Sequence, residues 1–147
     1  MKTRRILIAL IAVIAVAAAA CTSNDNAVPP ETTTTSFEFP ELEFGRGVLP
    51  ASVSSSWPTP EGVVIGATMI DGTRRLTEIV MTYPADVSDV AAYYTTNLPA
   101  LGYEVTSTSG SGGTVTIDFS GNGVSGTIVL TTGGTGLTSG TIRMIHE

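Results

Sequence analysis

The chain has 147 residues and a formal charge of −6, with 13 acidic residues, 7 basic residues and one cysteine. A single cysteine excludes an intramolecular disulfide, so the fold has to rely on packing alone. The acidic balance argues against a nucleic-acid-binding protein, because a negative surface repels the phosphate backbone.

The first 21 residues predict an exported protein. Three positively charged residues at positions 2–5 precede an uncharged apolar run at positions 6–20, and Cys21 follows it directly. A positive start, a short apolar run and small residues before a cleavage point are typical of a signal peptide, here residues 1–20. A retained anchor fits less well, because the run has 15 residues and a spanning helix needs about 17–25.

The sequence Ala18-Ala19-Ala20-Cys21 resembles the lipobox of bacterial lipoproteins, although leucine is commoner than alanine at position 18. With the Thr/Pro-rich stretch that follows, this start is similar to small lipoproteins of high-GC Gram-positive bacteria. The resemblance implies that Cys21 is diacylated and anchors the mature protein to the outer face of the cell membrane. The membrane is then a partner through diacylglyceryl-Cys21. Thr3-Arg4-Arg5 also resembles a twin-arginine signal, so the sequence leaves Sec and twin-arginine export open.

Removal of residues 1–20 makes the chain more acidic. It leaves four basic residues, all arginines, against 13 acidic ones, a formal charge near −9. Such a surface adds no electrostatic attraction to anionic headgroups, so the acyl chains alone have to hold the anchor. The expected partners are therefore the membrane lipid and an unidentified envelope protein or glycan, and no nucleic acid.

Residues 21–56 are predicted to be the lipidated N-terminus and a disordered Thr/Pro-rich tether. The run at positions 32–35 is four consecutive threonines, a low-complexity composition that cannot build a core. The same run is a candidate acceptor for O-linked sugar or an unmodified spacer, and the sequence does not distinguish the two.

One part of this tether, Phe37 to Phe44, alternates large apolar and acidic residues until Pro40 shifts the register. Two interpretations are open. The preferred one is that the segment lies on the folded domain and covers an apolar patch or a sheet edge, because an exposed apolar segment is a liability. The other is a short linear motif that adds to a partner as a strand. In that case the contact residues are Phe37, Phe39, Leu42 and Phe44.

A folded domain is predicted over residues 57–147. Two strands are predicted at positions 63–70 and 75–83. The pair Asp71-Gly72 between them is a turn signal that is strongest for a two-residue hairpin. In the second strand, alternation places one apolar set on one face and a second set on the other. The first set is Ile79, Met81 and Tyr83, and the second is Leu76 and Val80.

A helix is expected next, with Ser88 as its N-cap. Val90, Ala91, Tyr94, Leu98 and Leu101 recur at helical spacing and predict the buried side. Pro99 predicts the end of the helix or a kink in its last turn, and Gly102 suits the position just past the end.

Four more strands are predicted at positions 103–109, 114–120, 124–131 and 138–146, separated by Gly, Ser and Asn turns. The predicted fold class is therefore α+β. It has an antiparallel sheet of about six strands in the order ββαββββ, with one helix packed on one face. The opposite face is expected to be rich in Ser and Thr.

No catalytic set is evident. Gly121 to Gly126 matches a dinucleotide-binding pattern, but a β-rich stretch follows where a helix is required, so Asn122-Gly123 indicates a hairpin turn. The run from Asp118 resembles half of a calcium loop, but position twelve is Val129 where glutamate is needed. The single histidine, His146, is expected to be exposed near the chain end. We therefore expect no enzyme, no cofactor and no metal site.

The leading hypothesis is a membrane-anchored extracytoplasmic lipoprotein that acts as a protein interaction or accessory module at the cell envelope. The alternative is a module that binds an envelope lipid or glycan. That alternative needs an apolar pocket under the helix or exposed aromatic residues, for which Trp57, Tyr93 and Tyr103 are the candidates.

Overall fold

The computed structural model describes residues 37–147; the predicted signal peptide, Cys21 and the tether up to residue 36 lie outside this range. The described part is mostly β, an antiparallel sheet of seven strands with one helix. In chain order the elements are β1 Leu42–Arg46, β2 Val64–Asp71, β3 Leu76–Tyr83, α1 Val87–Ala100, β4 Glu104–Ser111, β5 Thr114–Gly121, β6 Val124–Thr132 and β7 Thr138–His146. Within the sheet the strands lie in the order β1-β2-β3-β7-β6-β5-β4.

The order ββαββββ is confirmed downstream of Trp57, but the sheet has seven strands where about six were predicted. The additional strand is β1, which pairs antiparallel with β2 from Leu42↔Asp71 to Arg46↔Ala67. The prediction of a disordered tether therefore does not hold for residues 42–46. The physical reason is that β1 pairs backbone groups along the outer side of β2 that would otherwise form an open edge.

The centre of the sheet joins distant parts of the chain. β3 pairs with β7 along its whole length, and Ile79 lies opposite Ile142. The predicted alternation in β3 is confirmed, because Ile79, Met81 and Tyr83 are fully buried on the helix side while Val80 is exposed. The turn before β3 is longer than the predicted two residues. The Asp71 carboxylate accepts a hydrogen bond from the Arg74 N–H at 3.1 Å, which stabilises a four-residue connection.

The helix starts two residues earlier than predicted, with Asp86 rather than Ser88 as its N-cap, and it continues through Pro99 to Ala100. Its buried residues are the predicted Val90, Ala91, Tyr94 and Leu98. Its C-terminus forms a Schellman motif. The Tyr103 N–H donates to the Leu98 carbonyl at 3.1 Å and the Gly102 N–H to the Pro99 carbonyl at 3.2 Å. Gly102 has a φ of 84°, which explains why glycine follows the helix.

The core lies between the helix and one face of the sheet. α1 packs over β4, β5 and β6, and the connection between β1 and β2 adds Trp57, which is only 4% exposed. The indole ring contacts Tyr94, Tyr103 and Phe119, with centroid distances of 5.4 to 6.3 Å. Trp57 therefore caps the core.

Two glycines on this face leave space for aromatic rings. A Cβ on Gly126 would lie 2.5 Å from Phe119 Cζ, and one on Gly140 would lie 2.6 Å from Tyr83 Cε2. The Tyr83 hydroxyl is 2.9 Å from that of Tyr94. Burial raises the pKa of Tyr83 to about 12, so both phenols remain neutral at any physiological pH.

Within residues 37–147 no helix has the length and hydrophobicity that crossing a bilayer requires.

Candidate functional site

The sheet face opposite the helix is the main uncovered surface of the described residues, and we call it the open face. On β3, the side chains that alternate with the buried ones lie on the open face. The residues directly opposite them on the neighbouring strands lie on the same face. Of the eight exposed large hydrophobic side chains in residues 37–147, five lie on this face. These five, which we call the apolar band, are Leu42, Phe44, Val64, Val80 and Ile145.

The apolar band is concentrated on one half of the sheet. Phe44 on β1 is 71% exposed, Val64 on β2 is 63% exposed, and Ile145 on β7 is 55% exposed. The other half, on β4 to β6, presents mainly Ser and Thr, so the predicted Ser- and Thr-rich composition holds for this half of the face and not for the apolar half. The open face therefore combines an apolar half and a hydroxyl-rich half.

Charged groups between the two halves are satisfied within the face. Arg143 Nε lies 3.3 Å from Glu78 Oε2, and these residues oppose each other on β7 and β3. On β5, Asp118 accepts hydrogen bonds from Ser107 at 2.6 Å and from Thr127 at 2.8 Å. These hydrogen bonds hold the pKa of the Asp118 carboxyl below its ordinary value. The face therefore carries few free charges that a partner would have to neutralise.

A shallow concavity of about 460 Å³ lies where the two halves meet. Its lining mixes hydroxyls, aliphatic side chains and the charged Asp118 and Arg143. The other lining residues are Leu76, Thr106, Phe119, Ser120, Ser125, Gly126, Thr127, Val129 and Ile145. Such a lining suits a small neutral polar ligand better than an ion, because each charged group already has a partner.

The structure separates the four contact residues predicted in the segment from Phe37 to Phe44. Leu42 and Phe44 belong to the apolar band. Phe37 and Phe39 lie at the end of the sheet, where their rings meet edge to face at 5.0 Å. The Phe39 ring also lies 4.8 Å from the His146 ring. The preferred interpretation therefore describes the segment well, because it pairs with a sheet edge and packs on the domain.

His146 is the residue that the sequence analysis placed wrongly. It is partly buried rather than exposed, and its Nε2 lies 3.0 Å from the Thr77 hydroxyl, which in turn lies 2.7 Å from the Ser52 hydroxyl. Burial and the nearby Arg75 guanidinium lower the pKa of His146. The strand alternation of β7 contained the signal, because position 146 shares a face with the buried Ile142 and Met144.

The remaining candidates support no chemistry of their own. Asn122 and Gly123 have φ values of 53° and 72° and join β5 to β6 in a two-residue turn, which confirms the predicted hairpin. Trp57 and Tyr103 are buried and so offer no exposed ring to a ligand. Within residues 37–147, no group of three metal-binding side chains is assembled. Cys21 lies outside the described residues.

No family model, no curated protein and no solved structure matches this chain. A functional assignment therefore has to come from the chemistry of the open face.

Proposed function

We propose that this protein is an accessory interaction module, held at the outer face of the cell membrane by diacylglyceryl-Cys21, and that it binds a protein partner through its open face. The observation that carries this proposal is the apolar band. Five large hydrophobic side chains, exposed by 37% to 71%, lie on one face, and such a concentration of exposed apolar side chains is typical of an interaction site.

The composition of the face supports a protein partner. Interfaces between proteins have an apolar centre and a polar rim, with few unpaired charges at the centre. Here the charged residues that lie among the members of the band are paired. Glu78 pairs with Arg143 at 3.3 Å, and Asp71, opposite Leu42 in the register, pairs with Arg74 at 3.6 Å. The partner is expected to offer an apolar patch whose rim is neutral or basic, because the chain as a whole is acidic.

The position of the anchor supports a partner close to the membrane. Only 15 residues lie between Cys21 and Phe37, where the description of the domain begins. A flexible segment of that length, the part of the predicted tether that precedes Phe37, would have a root-mean-square span of about 19–23 Å. The domain then remains within reach of the extracytoplasmic parts of membrane proteins, which supports a role as a subunit of a membrane complex.

The test is in-cell crosslinking followed by mass spectrometry of the proteins that co-purify. The open-face variant combines Phe44→Thr, Val80→Thr and Ile145→Thr, which keep strand propensity and remove the hydrophobic groups. The matched control combines Val48→Thr and Leu137→Thr, which change exposed hydrophobic residues outside the sheet strands. A Cys21→Ala chain tests the anchor.

We expect one specific partner with the wild-type chain and with the control, and its loss with the open-face variant and with Cys21→Ala. The fluorescence of Trp57, which is buried in the core, verifies that each variant is folded. Recovery of the same partner by the open-face variant would refute the role of this face. Recovery by Cys21→Ala would refute the role of the anchor.

A second candidate function, binding of an envelope glycan, is favoured by the concavity. Its hydroxyl lining and aliphatic floor match the alternating polar and apolar surface of a sugar. Co-sedimentation of the full chain with insoluble peptidoglycan tests this candidate. Binding that is lost in Asp118→Asn and retained in a chain with only Phe44→Thr and Val80→Thr, which lie outside the concavity, would favour the glycan, whereas no co-sedimentation would reject it.

A further inference from the structure

We propose that the outer edge of β4 pairs with the same edge of a second copy of this protein, joining two sheets into one across a two-fold axis. This proposal concerns a second surface and does not depend on the partner of the open face. It rests on three observations: the two sheet edges are protected differently, the free backbone groups of β4 are placed for pairing, and its sequence is self-complementary.

The two edges of the sheet differ in protection. β1 has five residues, two of them the charged Glu43 and Arg46, and Pro40 precedes it, all of which are features that discourage strand addition. β4 has eight residues, EVTSTSGS, with no proline, no positive charge and a single acid, Glu104, at its start. Seven of these eight residues are exposed, and within residues 37–147 no strand pairs with the outer side of β4.

Register identifies the backbone groups of β4 that are free. The two-residue turn Gly112-Gly113, with φ values of 60° and 81°, joins Ser111 to Thr114. The residues that flank such a turn exchange both hydrogen bonds, and hydrogen-bonded pairs then alternate along the ladder. Ser109 therefore bonds inward to β5. Thr108 and Gly110 direct their N–H and C=O groups away from the sheet.

These outward groups select one antiparallel pairing. If Thr108 of one copy exchanges both hydrogen bonds with Gly110 of the other, the two-fold axis generates an equivalent pair between Gly110 of the first copy and Thr108 of the second. Ser109 then lies on the two-fold axis, opposite its own copy in a non-hydrogen-bonded pair. The beta bulge between Val105 and Ser107 remains outside the paired segment.

Charge and chemistry are compatible with this register. The paired segment contains only Ser, Thr and Gly, so no like charges are opposed, and the two Glu104 side chains lie at opposite ends of the contact. In this register Ser109 opposes its own copy, Ser107 opposes Ser111 and Thr108 opposes Gly110, so only small or hydroxyl-bearing side chains meet. The two-fold axis is perpendicular to the sheet, so both helices lie on one side and both open faces on the other.

The contact is small, and we expect it to depend on the membrane. A single strand pair buries much less than the roughly 1,200 Å² of a stable protein interface, so the protein is expected to be monomeric in dilute solution. Anchoring both copies in one membrane raises their effective concentration, which promotes contacts too weak to form in solution.

The test is disulfide formation between Ser109→Cys chains in the membranes of cells that produce the full chain. Residues in a non-hydrogen-bonded antiparallel pair have Cα atoms about 4.5 Å apart, a separation that a disulfide spans. Ser111→Cys is the matched control, because it places the same side chain in the same strand. In this register Ser111 lies roughly 14 Å along the strand from Ser111 of the second copy, too far for a disulfide. The wild-type chain, whose only cysteine is Cys21, gives the background.

We expect a dimer band on a non-reducing gel for Ser109→Cys alone. Adding Thr108→Pro removes two outward hydrogen bonds per dimer and leaves the β4–β5 ladder intact, so we expect about a tenfold weaker band; adding Thr108→Ala should keep the band. A Ser109→Cys band no stronger than that of Ser111→Cys would overturn the proposal. So would a strong band that survives Thr108→Pro, because another contact would then hold the two copies together.

Discussion

His146 is held by side chains from two separate parts of the chain. Its ring contacts Phe39, which precedes β1, and its Nε2 meets the hydroxyl of Thr77 on β3. Arg75, from the turn before β3, lies 5.8 Å from the centroid of the Phe39 ring. Protonation of His146 would place a second positive charge beside Arg75, and for this reason and because of burial its pKa is lowered in the folded protein.

This lowered pKa predicts a loss of stability on mild acidification. The unfolded chain takes up a proton on His146 near pH 6.5, whereas the folded protein resists it, so the unfolded state binds more protons as the pH falls. We expect the free energy of unfolding to decrease between about pH 7.5 and pH 5.5. Urea denaturation of the full chain at several pH values measures this dependence.

His146→Gln is the control, because glutamine keeps a polar partner for Thr77 and does not titrate. His146 is the only histidine in the chain, so the variant should lose most of the pH dependence in this range. An equally steep dependence in His146→Gln would assign it to another group. The lowered pKa of Asp118 acts in the same direction, because protonation of this carboxylate also reduces the free energy of unfolding. It does so at a more acidic pH than protonation of His146.

At the level of elements, the segment from Phe37 to Phe44 has two separable parts. Phe39 is partly buried against the domain, and Phe44 in β1 is 71% exposed. We predict that Phe39→Ala destabilises the protein by about 1–2 kcal/mol, because it removes aromatic contacts to Phe37 and His146 and the cation–π contact with Arg75. Thermal or urea unfolding of the full chain is the measurement.

Phe44→Ala is the matched substitution in the same segment. We expect it to change stability by less than about 0.5 kcal/mol, because little of its side chain is buried. Equal effects of the two substitutions would contradict this division of the segment into a packing part and a surface part.

Much of the fold could be predicted because the signals are local. The two-residue turn at Asn122-Gly123 and the Gly, Ser and Asn turns on either side of positions 114–120 identified β5 and its hairpin. Strand β1 could not be predicted with equal ease, because it is short and Pro40 interrupts its alternation. Its partner β2 lies beyond a long connection, and no local pattern encodes that pairing.

The open face was only partly predictable. Alternation in β3 assigned Leu76 and Val80 to the face away from the helix, but it did not show that Phe44 and Ile145 would join them. Their meeting depends on the pairing of β1 with β2 and of β3 with β7. The prediction that His146 is exposed was wrong: alternation in β7 indicated its face, but its partners Phe39 and Thr77 are remote in sequence.

For the whole molecule, the sheet order predicts slow and cooperative folding. β3 and β7 are adjacent at the centre of the sheet but far apart in the chain, and such non-local pairing places folding in the range of roughly milliseconds to seconds. The single tryptophan, Trp57, is buried in the only core described here. Its fluorescence and the far-UV circular dichroism should therefore report one coincident unfolding transition.

Stopped-flow refolding followed by Trp57 fluorescence measures the rate, and equilibrium urea unfolding compares the two signals. A fluorescence transition at distinctly lower urea than the loss of circular dichroism would contradict the prediction. It would mean that the layer formed by Trp57 and α1 detaches while the sheet persists.

The position of β1 determines how the domain would respond to a mechanical load. Among the described strands, β1 comes first in the sequence, lies at the outer edge and is hydrogen-bonded only to β2. Tension applied through the chain upstream of Phe37 would reach the Phe39 contacts and the short β1–β2 ladder before any central strand. That ladder can extend under force and release several residues of chain while β2 to β7 and the helix stay assembled, so the domain contains its own extensible element.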